Sequence, residues 1–232
     1  MRHFLKRWSW RLLLTIGGVV LIYLSWLLLH IVYWERYNPH TSAFMQTRLG
    51  ELRKTHPDAK LRHQWVNYED ISVHLKRAII ASEDSQFLKH SGFDFVSIKH
   101  ALEKNIEQRK WSAGGSTISQ QLAKNLFLSD KKTISRKLEE AVITIMLESI
   151  LSKRRILEIY MNIIEWGHDV FGAEAAAQHY FGVSASALNG RQAAYLASML
   201  PNPRYYERNR QAEKLIRKRD IIHRRMPLAQ VP

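Results

Sequence analysis

The sequence contains no cysteine among its 232 residues. That excludes disulfides and thiolate metal sites, and it leaves an oxidising compartment permitted but not required. Strand-like alternation longer than a few residues is also missing, so the fold is expected to be mainly α. His56, His63, His74, His90, His100, His168, His179 and His223 stand in neither H-x-x-x-H nor H-E-x-x-H spacing. They read as surface or packing residues rather than metal ligands. A phosphate-loop fingerprint and a G-x-S-x-G nucleophile elbow are both absent, which leaves serine catalysis with little support. Acidic residues are scarce as well: 21 Asp and Glu face 35 Lys and Arg, for a formal net charge of +14. Such a surplus attracts polyanions, whether nucleic acid, anionic lipid headgroups or a phosphorylated substrate, and does not choose among them.

One stretch lacks charge altogether. Leu12 to Val32 holds no Asp, Glu, Lys or Arg and is long enough to cross a hydrocarbon layer. Arg2, Lys6, Arg7 and Arg11 precede it, whereas Glu35 and Arg36 nearly cancel after it. The positive-inside rule puts residues 1–11 in the cytoplasm as a basic tail and everything beyond Val32 outside. Trp8 and Trp10 on one side, with Tyr33, Trp34 and Tyr37 on the other, suit interfacial belts. A cleaved signal peptide is the competing reading. The run exceeds a typical signal core and no small-x-small site follows it cleanly, so 12–32 reads as an uncleaved anchor. Nucleic acid then drops out as a partner.

Residues 33–62 are polar, contain Pro39 and Pro57, and read as a juxtamembrane spacer with a short helix around Ala43 to Lys54. The remainder, 63–225, reads as one helical domain. Ile71, Leu75, Ala78 and Ile79 recur at helical spacing and bring Glu83 and Asp84 to a helix end. The negative end of a helix dipole opposes a carboxylate there and favours a proton-accepting role near neutral pH, although a solvated acidic pair is the plainer alternative. A further helix is expected from Phe95 to about Lys110. Gly114-Gly115-Ser116-Thr117 then opens another, with Thr117 and Gln120 at capping-box spacing and free N–H groups suited to an anion. Thr117, Gln120 or Gln121, and Lys124 would form its polar stripe, opposite Ile118 and Leu122.

From Thr133 to Ser152 a helix should carry Arg136, Lys137, Glu140, Thr144 and Glu148 on a polar side. Leu138, Val142, Ile145 and Met146 form its apolar side. Taken alone, Glu140 with Arg136 or Lys137 is an ordinary i,i+3/i+4 ion pair. Helices are also expected over Lys153 to Asn162, from Gly172 to Gly182, and over Arg191 to Leu200, the last halted by Pro201 and Pro203. Beyond Arg204 the chain is strongly basic and helical, and reads as a solvated tail.

Five blocks in order resemble the peptidoglycan glycosyltransferases, in the monofunctional membrane-anchored form of Gram-negative bacteria. They are Glu83-Asp84-x-x-Phe87-x-x-His90-x-Gly92-x-Asp94; Gly114 to Asn125; Arg136-Lys137-x-x-Glu140; Lys153-x-x-Ile156-Leu157-Glu158-x-Tyr160-x-Asn162; and Ala175-Ala176 through Tyr180-Phe181-Gly182. The resemblance implies a lysozyme-like domain against the outer face of the inner membrane, polymerising lipid II into glycan strands. The acceptor 4-hydroxyl attacks C1 of the donor sugar with inversion, and undecaprenyl diphosphate leaves. A stable diphosphate needs cations and N–H donors rather than the protonating acid of a glycosidase. By the resemblance Glu83 is the general base and Glu140 the second catalytic glutamate, orienting cations or helping to hold a divalent ion (Mg2+ or Mn2+) near the diphosphate. Lys124, Lys132, Arg136 and Lys137 would hold the diphosphate, with Ser116, Thr117, Gln121 and Asn162 completing the substrate-binding set. Lys132 stands where many members have arginine, which keeps charge but loses a bidentate fork. Met161 replaces a usual leucine. The expected partners are lipid II, the growing lipid-linked strand, the membrane, and other cell-wall synthases and division proteins. No transpeptidase is implied. A peptidoglycan-cleaving enzyme on the same scaffold, or a non-catalytic scaffold of the wall machinery, are the alternatives.

Overall fold

The structure is a computed structural model that describes residues 2–107, 114–129 and 133–232, with the backbone alone for residues 2–10 and Asn105. It divides into two compact units, Met1–Tyr37 and Asn38–Pro232. The first is a single helix, α1 (Arg2–Arg36). Among the described residues its stretch Arg11–Arg36 is the one helix long and apolar enough to cross a membrane. Apolar side chains radiate all around it, with Leu14 and Ile22 each 71% exposed, the pattern of a helix whose solvent is lipid rather than water.

Among the described residues the second unit is helical apart from one pair of two-residue strands. It runs α2 (Ala43–Arg53), β1 (Arg62–His63), α3 (Val73–Glu83), α4 (Phe95–Glu107), α5 (Ile118–Phe127) and α6 (Ile134–Ile150). There follow α7 (Lys153–Ile163), β2 (Val170–Phe171), α8 (Ala173–Phe181), α9 (Gly190–Met199), α10 (Pro203–Arg208) and α11 (Glu213–Arg225). β1 and β2 pair in parallel, Arg62 with Val170 and His63 with Phe171.

Four central helices supply the core. Leu75 and Ile79 of α3, Ile118 and Leu122 of α5, Ile156 and Leu157 of α7, and Leu196 of α9 are wholly buried. Each such side chain contributes about 1.5–3 kcal/mol through apolar burial. Small residues bring α8 close to its neighbours, with Ala173, Ala176 and Ala177 fully buried. Its entry needs Gly172, whose φ is 82° and where a Cβ would lie 2.7 Å from the Asn162 carbonyl oxygen. An L side chain would meet both strain and a clash there.

Two local readings change in the structure, and one that the sequence left open is decided. Residues 38–53, expected within a spacer, belong to the second unit: α2 packs on α5 and buries Met45 and Leu52. Basic α11, expected as a solvated tail, packs on α9 and α3 and buries Leu215 and Ile222, with Met226 buried just beyond it. Its apolar stripe is only one residue wide per two turns, which six flanking Arg and Lys mask in the sequence. Helix α6 buries a mixed face and exposes much of its apolar side. Glu140, Ile143, Thr144 and Leu147 are buried, whereas Leu138 is 66% and Ile145 56% exposed. Its polar side faces the site and its apolar side faces outward. Helix α4 shares this exposure through Phe95, Val96 and Ile106.

Candidate active site

The site starts from the end of α3, where Glu83 is the last helical residue. The Ser82 hydroxyl donates to Glu83 Oε1 at 2.8 Å. Next to it, Asp84 is turned into the protein and only 6% exposed. Its carboxylate accepts the Ile118 N–H of α5 at 3.0 Å and a hydrogen bond from His90 Nε2 at 2.9 Å. Because His90 Nδ1 accepts from the Gly92 N–H, the proton of a neutral imidazole belongs on Nε2. Burial pushes the Asp84 carboxyl above the usual range, against the opposing pull of His90 and Ile118. Asp84 therefore ties the end of α3 to the start of α5.

The loop after Asp84 is pinned at Gly92. Its φ is 91°, and a Cβ would lie 2.7 Å from Thr144 Cγ2 of α6. The Gly92 carbonyl accepts from the Thr117 hydroxyl at 2.7 Å. That hydroxyl also accepts the Gln120 N–H, and Gln120 Oε1 accepts the Thr117 N–H. The capping box thus forms as its spacing predicts, and it withdraws Gln120 from the polar stripe.

Gln121 is the hinge of the arrangement. Its Nε2 donates to Glu83 Oε2 at 3.1 Å, and its Oε1 accepts from the Tyr160 hydroxyl at 2.9 Å. Burial, with Glu83 and Asp84 adding to it, pushes the Tyr160 phenol well above its ordinary pKa. Tyr160 therefore keeps its proton and can fix the amide so that its N–H side faces Glu83. Lys218 of α11 approaches Glu83 Oε1 at 3.5 Å, a loose and partly exposed pair.

Gln121 lines one cavity and its partner Glu83 lines another. The larger, about 490 Å³, is lined by Gln121, Lys124, Asn125, Arg136 and Tyr160, with Arg48 of α2 and Arg204 of α10 opposite. Arg204 Nε donates to Glu165 at 2.7 Å, and Arg48 stands 3.7 Å from the same oxygen. The smaller, about 220 Å³, holds Ser82, Glu83, Ser116 and Thr117 together with Asp94 and Arg225.

On α6, Glu140 is 3% exposed. Arg136 donates to its Oε2 at 2.8 Å and Lys137 to its Oε1. With both oxygens held by cations, this carboxylate does not fit a divalent ion. No group of three or more His, Cys, Asp or Glu able to hold one occurs among the described residues. The carboxylate instead fixes the Arg136 guanidinium at the cavity wall.

Of the residues expected in the site, Glu83, Ser116, Thr117, Gln121, Lys124 and Arg136 line one cavity or the other. Glu140 and Lys137 stand behind Arg136. Lys132 lies outside the described residues. Asn162 does not reach either cavity: it is fully buried, its Nδ2 donates to the Val66 and Glu158 carbonyls, and its Oδ1 accepts the Val66 N–H. The substrate-binding expectation for Asn162 is thus replaced by a role in holding residue 66 against α7.

The transglycosylase family model matches residues 49–227. The chain belongs to the transglycosylase family. It is 60% identical over 228 residues to a biosynthetic peptidoglycan transglycosylase of Nitrosomonas europaea, covering 98% of this chain and 93% of that protein. It is 59% identical to the one of Methylobacillus flagellatus, covering 98% and 100%. Against that of Nitrosomonas eutropha the identity is 58%, covering 98% and 93%. The helical unit is accordingly a lysozyme-like transglycosylase domain, and Glu83 lines its smaller site cavity while bonding to Gln121 of the larger. Sequence reasoning gave Tyr160 no part in the site, and missed Arg48, Arg204 and Lys218 as neighbours of it. For Tyr160 a signal existed: a tyrosine on an otherwise aliphatic buried face needs a partner for its hydroxyl.

Proposed function

We propose that this transglycosylase polymerises lipid II into glycan strands, with Glu83 as the general base. The observation that carries the reading is the bridge Glu83–Gln121–Tyr160 standing between a carboxylate-bearing cavity and a cation-lined one. The acceptor 4-hydroxyl gives its proton to Glu83 as its oxygen bonds to C1 of the donor. The bond from C1 to the diphosphate oxygen breaks with inversion, and the anion departs toward Lys124 and Arg136. Lys137 adds charge to that side and Glu140 keeps Arg136 aimed, with Lys132 a further candidate by the family's sequence pattern. A leaving group stabilised by cations needs no proton.

The helix α1 serves as a single-pass anchor in the inner membrane, with the basic N-terminus cytoplasmic and the domain periplasmic. The outward apolar residues of α4 and α6 support a domain that lies on the lipid surface while drawing its substrate from it. Other cell-wall synthases and division proteins are its partners, supplying the crosslinking that this domain does not perform.

The test incubates purified full-length protein with lipid II, and separately with finished peptidoglycan, each with and without a chelator. Growth of glycan strands from lipid II is expected. Release of muropeptides from the polymer without any such growth would overturn the reading, and the chelator arm reads whether an ion arriving with the substrate assists the diphosphate.

A further inference from the structure

The two cavities beside Glu83 differ in charge, and the difference assigns a task to a residue of the C-terminal helix. The larger cavity carries the cations suited to a departing diphosphate. Inversion requires the nucleophile and the leaving group on opposite faces of C1, so the acceptor enters from the other side of Glu83. That side is the smaller cavity, and its lining is acidic and hydroxylic: Glu83, Asp94, Ser82, Ser97 and Ser116. Asp94 is ionised, because the Ser97 hydroxyl and N–H hydrogen-bond its carboxylate and hold its pKa below the usual range. A single cation lines this cavity among the described residues, Arg225.

Arg225 stands seven residues after Lys218 on α11, hence on the same face and two turns further along, about 10 Å away by helical rise. Lys218 is the residue that meets Glu83. One helix face therefore carries a cation that meets Glu83 and, about 10 Å further along, the one that lines the smaller cavity, a separation on the scale of a disaccharide. Neither an ion pair nor a hydrogen bond engages the Arg225 side chain among the described residues, and it is exposed. Arg219, by contrast, is paired with Asp220, and Arg217 with Glu213.

We propose that Arg225 is the acceptor-side positioning residue, receiving an anionic group of the incoming lipid-linked disaccharide while that sugar's 4-hydroxyl lies at Glu83. This rests on the polymerase reading above. The acceptor offers such a group in two places, the carboxylates of its peptide and its own diphosphate, and a guanidinium fork suits both. Because Arg225 touches the acceptor away from the reacting atoms, its loss weakens acceptor binding and leaves the chemical step intact.

The experiment uses full-length protein in detergent and a saturating lipid-linked tetrasaccharide donor whose terminal 4-hydroxyl is blocked, so that only added lipid II can act as acceptor. Initial rates are followed against acceptor concentration for wild type, R225Q and R224Q. The acceptor KM is expected to rise about fivefold in R225Q, the loss of one exposed charge-assisted contact. The kcat should stay within about twofold. R224Q removes the same charge one residue away, does not line the cavity, and is expected to match wild type. A second acceptor with its peptide carboxylates amidated separates the sources. If wild type and R225Q then coincide, the peptide carboxylate is the partner, and a persisting gap points to the diphosphate. An unchanged acceptor KM in R225Q, or an equal rise in R224Q, overturns the assignment. Failure of wild type to extend any donor overturns the polymerase reading instead.

Discussion

Replacing Tyr160 by Phe tests whether the Gln121 amide must be fixed for Glu83 to work. The hydroxyl donates to Gln121 Oε1 at 2.9 Å, in a position where the ring is 1% exposed. Both residues line the larger cavity, so water can reach the orphaned Gln121 acceptor but cannot hold the amide as the phenol does. A neutral hydrogen bond is worth about 0.5–1.5 kcal/mol net, and an orphaned buried acceptor costs about 1–3 kcal/mol. If about 1–2 kcal/mol of that falls on aligning Nε2 with Glu83 in the transition state, kcat/KM drops roughly five- to thirtyfold. Initial rates of lipid II polymerisation would be measured for Tyr160→Phe, Gln121→Leu and the double variant. Because the phenol acts through the amide, the double variant should be no slower than Gln121→Leu alone. A wild-type rate in Tyr160→Phe would refute the reasoning, as would a Tyr160→Phe loss that persists undiminished in the Gln121→Leu background.

Three further outcomes are expected. Glu83→Gln keeps the side-chain shape but cannot accept a proton, so turnover should fall by roughly 10²–10⁴-fold while affinity for a non-reactive donor analogue stays near wild type; turnover that survives removes Glu83 from the base role. Gly92→Ala imposes φ 91° on an alanine and sets its Cβ 2.7 Å from Thr144 Cγ2. It should cost about 1–3 kcal/mol, read as a lower thermal midpoint, and an unchanged midpoint would mean that the loop yields freely. Asp169 receives Arg62 Nε at 3.0 Å and NH2 at 2.5 Å. Burial alone would raise its pKa, but the Arg62 hydrogen bonds and charge outweigh that and lower it. A lowered folded-state pKa stabilises above the unfolded value of about 3.9 and stops doing so as pH falls through the folded value. Asp169→Asn should therefore be less stable than wild type near neutral pH, by roughly 1 kcal/mol or less for so exposed a pair. The gap should close below about pH 4 in denaturant titrations, and a gap that widens on acidification would contradict the linkage.

What was legible in the sequence was whatever depends on neighbours along the chain. Thr117 and Gln120 announce a capping box because three residues separate them, and Glu83 falls at a helix end because Ile71, Leu75 and Ile79 set the phase before it. Glu140 with Arg136 and Lys137 reads as a helical charge cluster for the same reason. What depends on partners far along the chain was not legible. Lys218 meets Glu83 across 135 residues and Tyr160 meets Gln121 across 39. The facing of α6 was not legible because periodicity reports that a helix has two sides, and not which solvent each side meets. Asn162 shows the reverse hazard: a polar residue in a motif next to a site is engaged wholly by the backbone beside it.

The outward apolar flank of α6 also has a bearing on handling the protein. Deleting residues 1–37 would remove the anchor and still leave Phe95, Ile134 and Leu138 facing solvent, at 75%, 84% and 66% exposure. In water such a fragment has an adhesive side, and self-association is the cheapest way to cover it. Detergent or lipid is thus a requirement of the folded domain itself as well as of the anchor. An activity measured in plain buffer would report on aggregates whose shared face is the one that should lie toward the substrate's own solvent.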